Sequence, residues 1–498
     1  MRTIDLVVFL AYLIGITLFG SSFFKKNKSS SEFTLGTSKI PSWVITMSIF
    51  ATFVSSISFL ALPGNAYITN WNPFVFSISI PIALWIAVKY FVPLYRKVNS
   101  PSAYTFLEQR FGPWARIYVS VCYLLTQLMR VGTILYLLAL ALNAIIGWDI
   151  ATIIVITGVT VAVYSLLGGF QAVVWTDAIQ GIILIAGALI SVAYILFNMP
   201  EGPGQLFSIA VANDKFSLGS FGTSLTEPTF WVVLVYGFFI NLQNYGIDQN
   251  YVQRYMASKT ESAAKKSAFW GGVLYVPVSL IFVFIGSALF SYYHSGAASL
   301  PVELQQPGMS DRIFPYFIVN QLPPGLTGLL IASVIAAGMS TVSTSFNSSA
   351  TVFLTDYYKR YSKEPVSDKK ALRVLYISST IISIIGILVA IAMINVKSAL
   401  DAWWKLASIF SGGMLGLFLL AAFTKITKST GALIGTITGV LVIFWLSLSS
   451  LLAGDYKWSV HLHSFLTIVF ATVAIFLVGF LVSMLGNRKR DHLSISES

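Results

Sequence analysis

The segment Ile4–Phe24 has the sequence IDLVVFLAYLIGITLFGSSFF and decides the class of the fold. It is almost continuously apolar over about 20 residues, the length at which an α-helix crosses the hydrocarbon core of a bilayer. No small-residue cleavage site follows it, and Lys25, Lys26 and Lys28 come directly after it. The segment therefore predicts a retained transmembrane helix whose carboxyl end faces the cytoplasm.

The composition extends this prediction to the whole chain. Of its 498 residues, 56% are hydrophobic and 10% are charged, whereas a soluble domain has about 25% charged residues. Because so few charges cannot cover a water-facing surface, the solvent for most of the chain is lipid. The single cysteine, Cys122, excludes an internal disulfide. The sequence thus predicts an all-α integral membrane protein in a lipid bilayer.

Apolar segments of spanning length recur along the chain and predict about thirteen transmembrane helices. They lie at about 4–24, 42–70, 73–95, 115–147, 149–167, 176–198, 228–256, 267–293, 323–357, 371–396, 402–424, 430–452 and 461–485. Together they predict a single transmembrane domain over 1–498.

Lysine and arginine are concentrated in alternate connections between these segments, from Lys28 and Lys39 after the first to Arg488 after the last. The positive-inside rule then places the N-terminus outside and the C-terminus in the cytoplasm, which an odd number of spans satisfies. The net charge of +12 becomes a property of the cytoplasmic surface. We therefore expect no nucleic-acid partner.

Several chemistries lack the residues that they need. The sequence contains no Walker A motif to hold the phosphates of ATP. Its four histidines lie in connections or near span ends, and no His, Cys or carboxylate cluster has the spacing of metal ligands. No nucleophile can be paired with a base either. These observations argue against an ATP-driven pump and against an enzyme.

A charge within the membrane costs about 3 kcal/mol or more, so two of the ionisable residues in predicted spans stand out as candidates for function. Arg130 is near the middle of the 115–147 segment. It either balances a buried acid or grips the carboxylate of a substrate through its guanidinium. Asp177 is near the start of the 176–198 segment. It either caps a helix or binds a small hard cation.

Hydroxyl side chains are concentrated in the segment Ala337–Ser345, which reads AGMSTVSTS. Ala337, Ser340, Thr341 and Thr344 recur at helical spacing and therefore share one face. Such hydroxyls can bond back to their own helix or allow close helix packing. Their density exceeds what either role requires, and hydroxyl and carbonyl oxygens suit an alkali cation.

Two predicted helices contain interruptions. The 42–70 segment holds Ser55–Ser58 and then Pro63–Gly64, and the 228–256 segment holds Asn241–Gly246 and then Asp248. Each is either a kinked packing helix or an unwound stretch that frees backbone groups for an ion or anion. Broken helices five spans apart predict a five-plus-five inverted repeat, with halves at about 42–198 and 228–424. The extra helix 4–24 precedes them and two helices at 430–485 follow.

The chain resembles the sodium:solute symporter family over nearly its whole length. The resemblance is carried by Gly168–Gly169, by the stretches WTDAIQG at 175–181 and DQNYVQR at 248–254, and by STVSTS at 340–345. Within the family, the stretch from Phe50 to Pro63 and Arg130 are most similar to the bacterial sialic acid transporters. The resemblance implies a LeuT-type core and import driven by sodium ions.

The resemblance also implies the site residues. One sodium ion would be held by the carbonyls of Ala51, Val54 and Ala337 with the hydroxyls of Ser340 and Thr341. A second would be held by Asp177, Ser340, Ser343 and Thr344. Arg130 would bind the substrate carboxylate, and further contacts would come from Ser55, Ser58 and Asn241. Phe53 and Ser77 depart from the pattern, which has threonine and glutamine at these positions.

We therefore expect sodium-coupled import of sialic acid (N-acetylneuraminate) by alternating access, through a monomer in a bacterial cytoplasmic membrane. Phe53 and Ser77 leave open a sodium symporter for another solute, such as a neutral sugar, proline or pantothenate. A membrane sensor or channel is a third possibility. A sensor would need a signalling domain, and the tail after Gly486 is too short to form one.

Overall fold

The computed structural model describes residues 2–26, 29–36, 40–306, 308–395, 399–451 and 460–496. Lys28 and Lys39, which belong to the predicted pattern of basic connections, lie outside these ranges. Within the ranges, all regular structure is helical. The helices of the amino-terminal part are α1 (Thr3–Ser21), α2 (Ser30–Leu35), α3 (Ser42–Phe53), α4 (Leu62–Ile68), α5 (Asn72–Ile78), α6 (Ile80–Ile86), α7 (Val92–Val98), α8 (Thr105–Phe111), α9 (Pro113–Ile146), α10 (Ile150–Phe197) and α11 (Pro203–Ala212).

The remaining described helices follow the long connection that holds α11. They are α12 (Phe230–Ile247), α13 (Gln249–Ala257), α14 (Glu261–Val273), α15 (Tyr275–His294), α16 (Ile313–Asn320), α17 (Leu326–Val352), α18 (Lys359–Tyr361), α19 (Asp368–Ala392), α20 (Ala399–Phe423), α21 (Ser429–Leu451) and α22 (Leu466–Ser496). Helices α11 and α16 lie in the two longest connections between spans.

The number of spans agrees with the sequence prediction. Ten helical runs in the described ranges are long and apolar enough to cross a membrane, and α3 with α4 forms a further pair bent by 59°. Helix α10 turns at Gly169 and therefore crosses twice. Helix α20 supplies the last crossing, since it is apolar from Ala407 to Phe423. The described part of the chain thus holds the thirteen predicted spans.

The predicted helices at 149–167 and 176–198 are present as two helices that meet at a kink, but the second begins directly after Gly169 and not at 176. The break is confined to Gly169, whose φ of 59° and ψ of −161° are accessible to glycine at little cost. Asp177 therefore lies two turns inside a helix. Its alternative interpretation as a helix cap is also wrong, since helical residues precede it.

Both predicted interruptions are real breaks. Helix α3 ends at Phe53, Val54 is extended with φ of −77° and ψ of 125°, and a π-helical turn at Ile57–Ala61 leads into α4. In the second case Asn241–Gly246 remain helical, and the break falls at Asp248, which is extended with φ of −74° and ψ of 128°. Each break exposes carbonyls that a continuous helix would use internally.

Helix α17 occupies the centre of the bundle and α1 its edge. In the most apolar stretch of the run Leu326–Tyr361, which contains α17, 89% of the residues are buried, whereas 22% are buried in the corresponding stretch of Thr3–Phe24. The two helices are joined because Asp5 Oδ1 accepts hydrogen bonds from the backbone N–H groups of Gly325 and Gly328, at 2.7 and 2.9 Å. A carboxylate at this end complements the dipole of α17. The α1 helix thereby fixes the helix that carries the predicted cation ligands.

Candidate substrate and cation sites

A cavity lies beside the two helix breaks. Five of the residues predicted to contact substrate line it, namely Phe53, Ser55, Ser58, Ser77 and Arg130. The other lining residues are Ile57, Leu62, Pro73, Phe76, Thr126, Tyr236, Ile240, Gln243, Asn244, Asp248, Tyr275, Ala407 and Ser411. The cavity thus combines one guanidinium, one carboxylate and several hydroxyls and amides with an apolar wall.

Arg130 projects from α9 towards the break between α3 and α4. Its Nη2 donates to the carbonyl oxygen of Thr52 at 3.0 Å, and 8% of the residue is exposed. Thr52 lies in the last turn of α3, where carbonyls are freed by the break. The guanidinium is therefore held at the cavity wall, beside the break that follows α3.

Aromatic rings form one side of the cavity around Phe53. The Phe53 ring stacks on Tyr245 with centroids 5.1 Å apart and meets Tyr275 edge-on at 4.5 Å. The Tyr275 hydroxyl is 3.1 Å from Ser58 Oγ, and Ser77 donates to Ser279 at 2.8 Å. This side offers both an apolar face and hydroxyl groups, which is the usual lining of a small-molecule site.

Asn241 is the one predicted substrate residue that does not line the cavity. It is fully buried, and its Nδ2 donates to the carbonyl oxygen of Phe76 and to Ser79 Oγ, at 3.1 and 3.0 Å. These bonds hold α12 against the junction of α5 and α6. A contact of Asn241 with substrate remains a prediction.

The five predicted ligands of the first sodium ion converge. Ser340 Oγ lies 3.1 Å from the carbonyl oxygen of Ala51 and 3.2 Å from that of Ala337. Thr341 Oγ1 lies 3.2 Å from the carbonyl oxygen of Val54 and 3.4 Å from that of Ala337. Carbonyls of an unwound helix with hydroxyls of a facing helix are the oxygen set that coordinates sodium in transporters. The residues present therefore fit the ion.

The predicted second sodium site centres on a buried carboxylate. Asp177 Oδ2 accepts hydrogen bonds from Ser48 and Thr344, while Asp177 Oδ1 is buried and accepts none from any described residue. Ser343 Oγ donates to the carbonyl oxygen of Ser340 at 3.1 Å. A buried carboxylate oxygen without a donor is costly, and a cation would satisfy it. This donor set also fits sodium.

Sequence reasoning missed several polar residues at both sites. Asp248 and Asn244 line the cavity and stand in the broken-helix stretch, so their position next to the break was an available signal. Arg254, fully buried, forms an ion pair with Asp177 at 2.7 Å. Arg254 is the last residue of the stretch DQNYVQR at 248–254. Tyr275 and Ser411 lie in apolar segments that give no sequence signal.

Three aromatic rings separate the cavity from a second, more open cavity. Phe76 and Tyr236 line the first, and Phe465 lines the second. The rings of Tyr236 and Phe465 stack with centroids 4.4 Å apart and planes at 17°. Phe465 immediately precedes α22, so a residue beyond the second predicted repeat helps to close the cavity.

The sequence profile of the sodium:solute symporter family matches residues 33–439. The chain belongs to this family. Among relatives of this symporter, the sodium/sialic acid symporter NanT of Aliivibrio fischeri is 32% identical over 491 residues, covering 97% of this chain and 93% of the relative. The sodium/sialic acid symporter SiaT of Proteus mirabilis is 33% identical over 444 residues, covering 88% of each chain.

A solved structure is also similar to the symporter. It is the substrate-bound outward-open state of a Na+-coupled sialic acid symporter, described as having a novel Na+ site. The TM-score is 0.89 at 30% sequence identity, with 97% of this chain and 98% of the other covered. The predicted fold class, a LeuT-type membrane protein with an extra amino-terminal helix, is confirmed.

Proposed function

We propose that the symporter imports sialic acid together with sodium ions. The observation that carries the proposal is the convergence of the predicted substrate site and the first predicted sodium site on one short segment, 51–55, where α3 ends and the chain unwinds. Arg130 holds this segment from one side and the hydroxyls of α17 hold it from the other. Two relatives and one similar structure are named as sodium-coupled sialic acid symporters, which supports this choice of substrate.

Different residues of the segment 51–55 contribute to the first sodium site and to the substrate cavity. Ala51 and Val54 present carbonyls to Ser340 and Thr341, Thr52 accepts from Arg130, and Phe53 and Ser55 line the cavity. Sodium bound by these carbonyls would fix the conformation of the same residues that contact substrate. Each ligand would therefore raise the affinity for the other by the same factor.

The substrate is recognised by its carboxylate and its hydroxyl groups. The planar guanidinium of Arg130 pairs with the carboxylate in bidentate geometry. The hydroxyls of Ser55, Ser58 and Tyr275 meet the sugar hydroxyls, and the Phe53 ring packs against an apolar face. Asp248, also at the cavity, limits the net positive charge and disfavours a substrate with two carboxylates.

We extend the proposal to the assembly. The two repeats comprise 42–198 and 228–424, and the symporter acts as a monomer in the bacterial cytoplasmic membrane. The N-terminus lies outside and the C-terminus in the cytoplasm. In this orientation α11 is external, and the ring stack of Tyr236 and Phe465 separates the cavity from the outside.

Uptake by purified protein in liposomes tests the proposed function. We expect accumulation of labelled sialic acid that requires an inward sodium gradient and stops when potassium replaces sodium. Asp177→Asn and Arg130→Ala proteoliposomes serve as matched controls. Accumulation that is independent of sodium would refute the proposal.

Another solute, such as a neutral sugar, proline or pantothenate, is the second candidate, because Phe53 and Ser77 line the cavity and depart from the pattern of the sialic acid transporters. Thermal shift measurements at saturating sodium, with sialic acid, neutral sugars, proline and pantothenate, separate the two candidates. Stabilisation by one of these other solutes and not by sialic acid would transfer the proposal to that solute.

Shortening Phe465 is expected to open the cavity to the outside. In a Cys122→Ala background, Ser411→Cys places a thiol in the cavity wall, and a membrane-impermeant thiol reagent reports its access from outside. Phe465→Ala should raise the labelling rate about tenfold, since removal of the Phe465 ring leaves Tyr236 uncovered. Phe480→Ala, on α22 but away from the cavity, is the matched control. Equal labelling rates in the two variants would show that Phe465 does not close the cavity.

A further inference from the structure

Arg254 is a fully buried arginine that contacts the carboxylate of the second predicted sodium site. We infer that Arg254 is a positioning residue for this ion, because it fixes one oxygen of Asp177 and leaves the other oxygen to the cation. The inference rests on the sodium coupling proposed above.

The hydrogen bonds of Asp177 are divided unequally between its two oxygens. Oδ2 accepts from Arg254 Nη2 at 2.7 Å, from Ser48 Oγ at 2.7 Å and from Thr344 Oγ1 at 3.4 Å. Oδ1 is equally buried and accepts no hydrogen bond from any described residue. All donors are thus gathered on one oxygen, and the negative charge of the other lacks a partner of its own.

This division differs from an ordinary structural ion pair. An arginine and a carboxylate commonly form two parallel hydrogen bonds that use both oxygens. Here the other nitrogens of Arg254 are directed elsewhere, with Nε donating to Ser48 Oγ at 2.7 Å and Nη1 donating to the carbonyl oxygen of Asn250 at 2.6 Å. The guanidinium is therefore turned away from Oδ1.

The same guanidinium also orders a predicted ligand on the facing helix. Nη2 donates to Thr344 Oγ1 at 2.8 Å, so one nitrogen lies between Asp177 of α10 and Thr344 of α17. Ser48 adds α3, and Arg254 itself belongs to α13. A single planar group thus sets the spacing of four helices around the second site, and a lysine could not make all of these bonds at once.

Sodium binding to the purified full-length protein tests this role. Thermal stabilisation is measured against sodium concentration, and sialic acid affinity is measured separately at saturating sodium. We expect a Hill coefficient near 2 for the unaltered protein and near 1 for Asp177→Asn. Arg254→Gln should also approach 1 or require at least tenfold more sodium, whereas its sialic acid affinity at saturating sodium should change less than twofold.

Two further variants keep the test decisive if Arg254→Gln does not fold. Arg254→Lys retains the charge and should shift the sodium requirement by an intermediate amount. Ser48→Ala removes one donor from Oδ2, keeps both charges and should cause a smaller shift in the same direction. Arg110→Lys, at a carbonyl contact with Thr424 outside the site, should leave sodium binding unchanged.

The possible failures are distinguishable. If the unaltered protein shows no sodium response, the proposed function is wrong. If it binds two ions and the Arg254 variants bind sodium as it does, the inference alone is overturned. A Hill coefficient near 1 that Asp177→Asn does not change would also overturn the inference, because no second ion would then be present to position.

Discussion

Arg130→Ala is expected to lower the affinity for sialic acid at least ~30-fold and to abolish measurable uptake. Removing one partner of a buried, hydrogen-bonded charge pair costs about 2–5 kcal/mol, and every 1.4 kcal/mol is tenfold in affinity. Arg130 supplies the one guanidinium among the residues that line the cavity in the described part of the chain. Isothermal titration at saturating sodium measures the loss directly.

Two control variants test whether the effect depends on the guanidinium geometry and on its position in the cavity. Arg130→Lys keeps the charge but not the planar fork, so it should recover part of the affinity. Arg110→Ala removes an arginine that donates to the carbonyl oxygens of Thr424 and Lys425, outside the cavity, and should bind as the unaltered protein does. Binding of sialic acid by Arg130→Ala with unchanged affinity would exclude Arg130 as the carboxylate ligand.

Ser340→Ala is expected to have the second largest effect, because Ser340 is predicted to serve both sodium sites. Its hydroxyl lies within 3.1–3.2 Å of the carbonyl oxygens of Ala51 and Ala337. Loss of a hydroxyl that contacts a charge costs about 1.5–3 kcal/mol. The sodium concentration for half-maximal uptake should therefore rise at least tenfold, and the Hill coefficient should fall.

Ser333→Ala is the matched control for this prediction. Ser333 is a buried serine on the same helix, and its hydroxyl contacts the carbonyl oxygens of Ile183 and Leu329 rather than the cation site. The sodium dependence of its uptake should match that of the unaltered protein. If Ser340→Ala and Ser333→Ala gave the same sodium dependence, Ser340 could not be a sodium ligand.

The sequence predicted the spans and the hydroxyl-rich face of α17 because both depend on local patterns. Long apolar runs determine helices in lipid, and the spacing of Ala337, Ser340, Thr341 and Thr344 places them on one face. The break after Phe53 was foreseen because serine, proline and glycine are concentrated there. These features depend on residues that are near one another in the chain.

The remaining features depend on contacts between distant segments. Of the predicted stretch Asn241–Gly246 followed by Asp248, only Asp248 breaks the helix, while α12 stays helical to Ile247 and Asn241 Nδ2 donates to Phe76 and Ser79. The pairing of Arg254 with Asp177 joins residues 77 apart in the chain. The helical periodicity of the sequence does not predict such a pair, since either side chain could have paired with another residue.

The link between Asp5 and α17 has a mechanical consequence. Because Asp5 ties the amino end of α17 to α1, we expect these two helices to move together and the segment after α3 to move relative to them. The first predicted sodium ion would bridge the two parts, with the carbonyls of Ala51 and Val54 on one side and the hydroxyls of Ser340 and Thr341 on the other. We therefore expect this ion to bind when the two parts approach and to leave when they separate.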